Sequence, residues 1–345
     1  VAHHRATAKS SLLDVARRFA DHIDSEFGHG KRQGAPGHPE IELALVELYR
    51  DTGERRYLDL AAFFVDQRGG GTMRGYGRGS AYHQDRAPVR EATEVEGHAV
   101  RQLYLTAGVT DIYVETGEQA LLDALTRLWH DMAARKMHVT GGFGARFVGE
   151  SFGQAYELPS DRCYCETCAA IAGIMWNWRM LLATGEARYA DLLERSLYNG
   201  FLSGVSLDGK RYFYVNPLQS RGGVERPEWY GCACCPPNVM RLLASLSHYF
   251  ASSDAAGVQI HQYAPADINL KLTSGASVQM SMAANFPWEG AVKLTVNETD
   301  GSAWTLRLRI PAWCEDPKLA VNGEAVTLDI EQGYAVVTRA WQAGD

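Results

Sequence analysis

No apolar run in this sequence reaches the roughly 18–20 residues needed to cross a bilayer, and the opening VAHHRATAKSSLLDVARRF lacks the apolar core of a signal peptide. An excess of positive charge is missing too. Lys and Arg number 34 against 41 Asp and Glu, a formal charge of −7, and no basic stripe occurs. Phosphate backbones are ordinarily met by clustered cations, so neither nucleic acid nor membrane is expected as a partner. The glycine-rich stretches RGGGTMRGYGRGS and TGGFGAR lack the Lys-Ser/Thr of a phosphate loop and lie in no strand-to-helix unit, so both are read as loops. Disorder is excluded by 46% hydrophobic against 22% charged residues over 345 positions, enough for one large domain or two ordinary ones. The expectation is a cytoplasmic protein, or one whose true N-terminus lies upstream.

Up to about residue 252 the apolar residues recur at helical spacing. In HPEIELALVELYRDTG, Ile41, Leu43, Leu45, Val46 and Leu48 line one face. A helix stop and restart then repeats three times, at Thr52-Gly53-Glu54, Thr116-Gly117-Glu118 and Thr184-Gly185-Glu186. Gly suits the left-handed position that ends one helix, and Glu suits the first turn of the next. Steps of 64 and 68 residues between these junctions match two helices with their loops. They predict antiparallel hairpins stacked side by side, as a solenoid or a closed toroid rather than a plain bundle.

From about residue 257 the period changes to two. VQIHQYA, INLKLTS, SVQMSMAA, AVKLTVNE, WTLRLRIP and GYAVVTR alternate apolar and polar residues, and Asn322-Gly323 marks a tight hairpin. These segments predict a β-sandwich piece. The expected division is a helical domain over 1–252 and a sheet domain over 253–345, with both ends looking cut.

Cysteine is scarce, seven in all, yet six lie in two tight clusters: Cys163, Cys165 and Cys168, then Cys232, Cys234 and Cys235. A large chain without a secretion signal favours metal or redox chemistry over a disulfide framework for such clusters. Glu166 to Cys168 fall at the start of a helical stretch, where a thiolate is stabilised. Cys234-Cys235 precede Pro236-Pro237, which predicts an extended loop before the next helix. Vicinal cysteines pair with each other only under strain, yet both can reach one tetrahedral Zn²⁺ if Glu166 and Cys168 supply the remaining ligands. A purely structural four-cysteine site from Cys163, Cys165, Cys168 and Cys232 stands beside that reading.

These motifs, with GHPEIELALVELYRDTG, EVEGHAVRQLYL, KMHVTGGFGARFVGESF, YELPSDRCYCETCA, ERSLYNGFLSGVSLDGKRYFYVNPL, CACCPPNVMR and LRLRIPAWC, closely resemble glycoside hydrolase family 127 from about residue 36 onward. Characterised members include zinc-dependent β-L-arabinofuranosidases. The resemblance implies a mainly α fold, a six-hairpin α/α toroid, here N-terminally incomplete, followed by a β-sandwich segment. It implies zinc on Glu166, Cys168, Cys234 and Cys235, with Cys234 as nucleophile and Glu150 as general acid/base of a retaining glycosidase. Glu150 should then have a raised pKa, from burial or from Glu166 nearby. His38 and His98 are implied to line the sugar pocket, and Tyr214 is a candidate contact to a sugar hydroxyl.

The implied substrate is a glycoside or oligosaccharide ending in a β-L-arabinofuranosyl or related pentosyl group, and a second copy of the chain is a candidate partner. Cys163, Cys165 and Cys232 have no place in the implied ligand set. Trp176 and Trp178 are read as packing residues. The alternative from another class is a non-catalytic carbohydrate-binding or scaffold protein in which zinc only pins two loops.

Overall fold

A computed structural model describes residues 1–73, 75, 77–229, 231 and 233–345; Cys232, whose role the sequence left open, lies outside the described residues. Helices come first: α1 (Ala2–Thr7), α2 (Ser11–Glu26), α3 (Ile41–Thr52), α4 (Arg55–Asp66), α5 (Ala99–Thr116), α6 (Gln119–Asp131), α7 (Thr167–Thr184), α8 (Ala187–Arg195) and α9 (Cys235–Ser245). By contacts the chain divides into two units. One comprises Val1–Ala183 with Arg195–Asn238, and the other Thr184–Glu194 with Val239–Asp345. No helix among the described residues is long and apolar enough to cross a membrane.

The three Thr-Gly-Glu junctions end and restart helices as their sequence predicts. Gly53, Gly117 and Gly185 take φ of 73°, 70° and 76°, a left-handed conformation that costs a side-chain-bearing residue more. The threonine contributes as well: its hydroxyl accepts the amide of the following Glu at 3.2, 3.4 and 3.3 Å in the three copies. Glu54 and Glu118 stand at the N-cap rather than inside the first turn, one residue earlier than expected.

Within the first unit, helices of two kinds alternate. In α5 every residue from Ala99 to Ile112 except Arg101 is buried, and α7 is buried without a break from Thr167 to Ile174. By contrast α4 and α6 bury one face, Tyr57, Leu58, Ala61 and Phe64 in α4 and Leu121, Ala124, Leu125 and Leu128 in α6. Helices apolar all round need cover on every side, and one-faced helices provide it, so α3 packs on α4 and α5, and α5 on α6. This two-layer α/α arrangement is the one the hairpin repeat predicts. Trp176 is wholly buried in it, a packing residue as read.

The second unit contains β1 (Ala251–Ser253), β2 (Gly257–Ile260), β3 (Ala266–Lys271), β4 (Ser277–Ala284), β5 (Val292–Glu298), β6 (Ala303–Arg309), β7 (Ala320–Val321), β8 (Glu324–Ala325), β9 (Ile330–Glu331) and β10 (Tyr334–Ala340). One sheet runs β1-β2-β6-β10-β9 and another β3-β4-β5. Val278, Met280 and Met282 alternate inward along β4 and meet Val258, Ile260, Trp304 and Leu306 from the larger sheet in one core, which makes the pair a sandwich. Asn322 and Gly323, at φ of 54° and 85°, join β7 to β8 as the predicted hairpin turn.

An ion cluster attaches α8 to the sheets. Arg309, fully buried at the end of β6, pairs with Asp191 at 2.6 Å and with Glu194, and its Nε donates to the carbonyl of His261 at 2.6 Å. Removing one partner of a buried pair leaves the others charged and uncompensated. Arg309→Ala should therefore cost the second unit about 3–5 kcal/mol, read from the denaturant midpoint; a wild-type midpoint would contradict this role.

His261 itself is buried between the Tyr334 hydroxyl at Nδ1 and the Ser252 hydroxyl at Nε2, both at 2.8 Å. Burial, then the Arg309 charge, push its pKa down to about 3. A folded-state pKa below the unfolded value near 6.5 means that the unfolded chain takes up the proton first. This contribution to stability is complete above pH 6.5 and falls by about 1.4 kcal/mol per pH unit as pH drops toward 3. His261→Gln should flatten the stability–pH curve over that window relative to wild type, measured by urea unfolding.

Candidate active site

Two helix starts supply the cysteine cluster. Glu166 caps α7, its carbonyl accepting the Ala170 amide at 3.1 Å, and Cys168 follows in the first turn. Cys234 stands in the same position before α9, its carbonyl accepting the Asn238 amide at 3.3 Å, and Cys235 opens that helix. The extended loop expected around Pro236-Pro237 is absent: both prolines lie in the first turn of α9. Amides there have no intrahelical acceptor, so proline loses nothing by lacking one and its fixed φ suits the helix.

The four side chains converge. Their ligand atoms lie within 4.8 Å of one another, with Cys168 and Cys235 sulfurs 3.3 Å apart, Cys234 and Cys235 3.9 Å apart, and Glu166 Oε1 3.9 and 4.0 Å from Cys234 and Cys235. A tetrahedral ion with metal–sulfur bonds of ~2.3 Å sets its sulfurs about 3.8 Å apart, close to this spacing. Glu166 Oε2 is buried with no hydrogen-bond partner among the described residues, an acceptor of the kind a cation satisfies. Burial first, then the charges of Cys234 and Glu150, push the Glu166 pKa well up, and hydrogen bonds to Cys234 and Cys235 with burial push Cys168 up. A cation held by these residues would invert that balance and favour the ionised form of all four groups.

A second group adjoins the first through Glu166. His98, Glu150 and Glu166 also bring ligand atoms within 4.8 Å. His98 caps α5, where its Nδ1 accepts the Arg101 amide at 3.4 Å. The ring proton is thereby placed on Nε2, which lies 2.8 Å from Glu150 Oε2 and donates to it. Gly97 makes this approach possible. It sits at φ +65°, and a Cβ there would come within 2.0 Å of the Ala81 carbonyl oxygen.

Glu150 adopts a left-handed φ of 51°, uncommon for a residue with a side chain, and is held there by the Ala99 amide on its carbonyl at 2.9 Å. The raised pKa expected for Glu150 is reversed. The His98 hydrogen bond lowers it most, outweighing burial and the opposing charge of Cys234. The Tyr214 hydroxyl reaches the same Oε2 at 3.5 Å, and His38, 40% exposed, sets its ring 6.2 Å from that of His98. All eight residues singled out by sequence thus lie in the first unit.

Two neighbours escaped the sequence reading. Tyr104 donates to Asn238 Oδ1 at 3.1 Å, and Asn238 donates to Cys168 Sγ at 3.0 Å. Asn238 belongs to the quoted CCPPN run, and its place four residues beyond Cys234 was the available signal. Cys163 and Cys165 belong to neither metal-capable group among the described residues. Cys163 instead accepts the Leu218 amide at 3.4 Å and faces the Asn216 carbonyl at 3.5 Å. Its hydrogen bond with Cys165 brings its pKa down to about 7.

Residues 1–248 match the family model for the β-L-arabinofuranosidase GH127 catalytic domain, and residues 257–345 match that for the GH127 middle domain. The chain belongs to glycoside hydrolase family 127. It is 38% identical to a non-reducing end β-L-arabinofuranosidase of Bifidobacterium longum subsp. longum, over 97% of this chain and 56% of that protein. A solved GH127 β-L-arabinofuranosidase from Geobacillus stearothermophilus T6 superposes with TM-score 0.94 and 41% identity, over 99% of this chain and 58% of the other. A second solved GH127 β-arabinofuranosidase gives TM-score 0.92 at 38% identity, over 99% and 56%. The chain thus spans a little over half the length of these relatives, and its helical region followed by sheets follows the toroid-and-sandwich architecture of the GH127 family.

The clustered donors of this GH127 chain should bind one metal ion per molecule. Elemental analysis of protein purified without chelator should find it, and Cys168→Ser should release it. A metal-free wild type would contradict the grouping.

Proposed function

We propose that residues 1–252 form the catalytic domain of a retaining glycoside hydrolase, with 253–345 as its β-sandwich domain, and that it releases terminal β-L-arabinofuranosyl groups from glycosides or oligosaccharides. The observation that carries this reading is the sharing of Glu166 between two groups of different chemistry. On one side lies Cys234, half-buried where Cys168 and Cys235 are closed off; on the other lie Glu150, His98 and Tyr214. A scaffold site needs only the first group. The relatives' activity on β-L-arabinofuranosides supports the choice of sugar.

Three sulfurs and one carboxylate are a donor set suited to Zn²⁺, so Glu166, Cys168, Cys234 and Cys235 would hold zinc. When bound, it keeps the thiols deprotonated at neutral pH. The Cys234 sulfur then attacks the anomeric carbon while Glu150 gives a proton to the departing oxygen. Water, deprotonated by Glu150, next attacks the same carbon and displaces the sulfur, with net retention of configuration. Glu150 holds its proton less readily than a usual carboxyl because of His98, so bound substrate has to raise its pKa. Burial and the Cys234 charge already act in that direction. On this reading His38, His98 and Tyr214 contact sugar hydroxyls.

Glu150→Gln removes the proton donor and no metal ligand. Hydrolysis should fall by about 10²–10⁴ with metal content unchanged. On an activated aryl β-L-arabinofuranoside, the same variant should accumulate a covalent sugar adduct on Cys234, visible by intact mass and peptide mapping. Wild-type turnover in this variant, or an adduct on another residue, would sink the mechanism. A panel of p-nitrophenyl glycosides would settle the sugar.

A further inference from the structure

A relay of side chains joins the middle of α5 to the cysteine cluster. Tyr104, 1% exposed, donates to Asn238, and Asn238 donates to Cys168, also 1% exposed. A coordinated thiolate accepts hydrogen bonds and donates none, so only the amide NH₂ of Asn238 can face that sulfur. Its carbonyl end then faces Tyr104, whose hydroxyl donates to it, and both contacts require the same amide orientation. The backbone amide of Asn238 meanwhile closes the first turn of α9 on the Cys234 carbonyl. One residue therefore grips both halves of the ligand set.

We infer that Asn238, oriented by Tyr104, is a positioning residue that fixes Cys168 as a permanent sulfur ligand and leaves attack on the sugar to Cys234. The inference rests on the zinc-thiolate reading above. Three thiolates on one ion would otherwise be chemically alike. A hydrogen bond draws charge from the Cys168 sulfur and lowers its nucleophilicity, complete burial withholds Cys235, and the half-buried Cys234 is the sulfur that a substrate reaches. Donors behind a metal ligand are ordinarily worth about 10–100-fold in metal affinity or activity.

The test compares wild type with Asn238→Ala, Asn238→Asp and Tyr104→Phe, reading zinc affinity by competition with a chromophoric chelator and the thiolate-to-metal band after cobalt(II) replacement. Asn238→Ala should weaken zinc by about 10–100-fold and move the cobalt band to longer wavelength, because an unbridged sulfur lone pair lies higher in energy. Asn238→Asp should weaken zinc further, since it turns a carboxylate toward the thiolate, and Tyr104→Phe should produce a smaller loss in the same direction. Both of the latter keep the volume of the original side chain, so they carry the test even if the alanine variant fails to fold. A packing role would leave Asn238→Asp unchanged. Wild-type affinity and an unmoved band in Asn238→Asp and Tyr104→Phe would overturn the inference alone. A wild-type protein that takes up neither zinc nor cobalt would overturn it together with the reading it rests on.

Discussion

Four acidic side chains held within 4.8 Å of one another are the constraint around which the first unit is organised. Left to themselves they repel, and burial makes their charges costlier still, as the upward push on Glu166 records. Two features oppose this. The N-termini of α7 and α9 both point at the cluster, each carrying a partial positive charge of roughly half a unit, and the donor set leaves room for a cation. The surrounding chain holds the helix starts in place: the Asn216 side chain donates to the Cys165 carbonyl and the Thr167 hydroxyl, both at 2.9 Å, and that hydroxyl donates to the Phe213 carbonyl at 2.7 Å.

The neighbouring carboxylate is governed by a different balance. Glu150 stands beside an anionic cluster, which should favour its protonated form, yet His98 donates to it and prevails. The histidine can do so because its other nitrogen is committed to capping α5, so a helix-capping interaction decides the tautomer at the chemistry. A left-handed backbone at Glu150 and a side-chain-intolerant Gly97 bring the two together, so local strain serves the site.

The second unit follows a similar rule of charge paired with burial. Arg309 sits buried at the end of β6 and draws Asp191 and Glu194 to it, so that Thr184–Glu194 associates with the sheets by contact although its sequence reads as one more helix of the repeat. Periodicity reports which face of an element is apolar; it does not say which neighbour covers that face.

Apolar spacing marked the helical region and the change to strands near residue 257, and the Asn322-Gly323 dipeptide marked its turn, because each reflects a local rule of spacing or φ. The three Thr-Gly-Glu junctions were legible for the same reason, down to the left-handed glycines. Cysteine clustering pointed to a metal site, and the family motifs named eight residues that the fold brings together. What spacing could not supply was decided by approach across long stretches of chain. The prolines after Cys235 read as loop formers but begin a helix, since position within the turn determines whether a missing amide matters. The direction of the Glu150 shift required the His98 contact across 52 positions of sequence, and the Tyr104–Asn238–Cys168 relay spans 134 and 70 positions. Sequence names the chemical groups; only the packed chain sets the distances that give each its charge, its partner and its exposure.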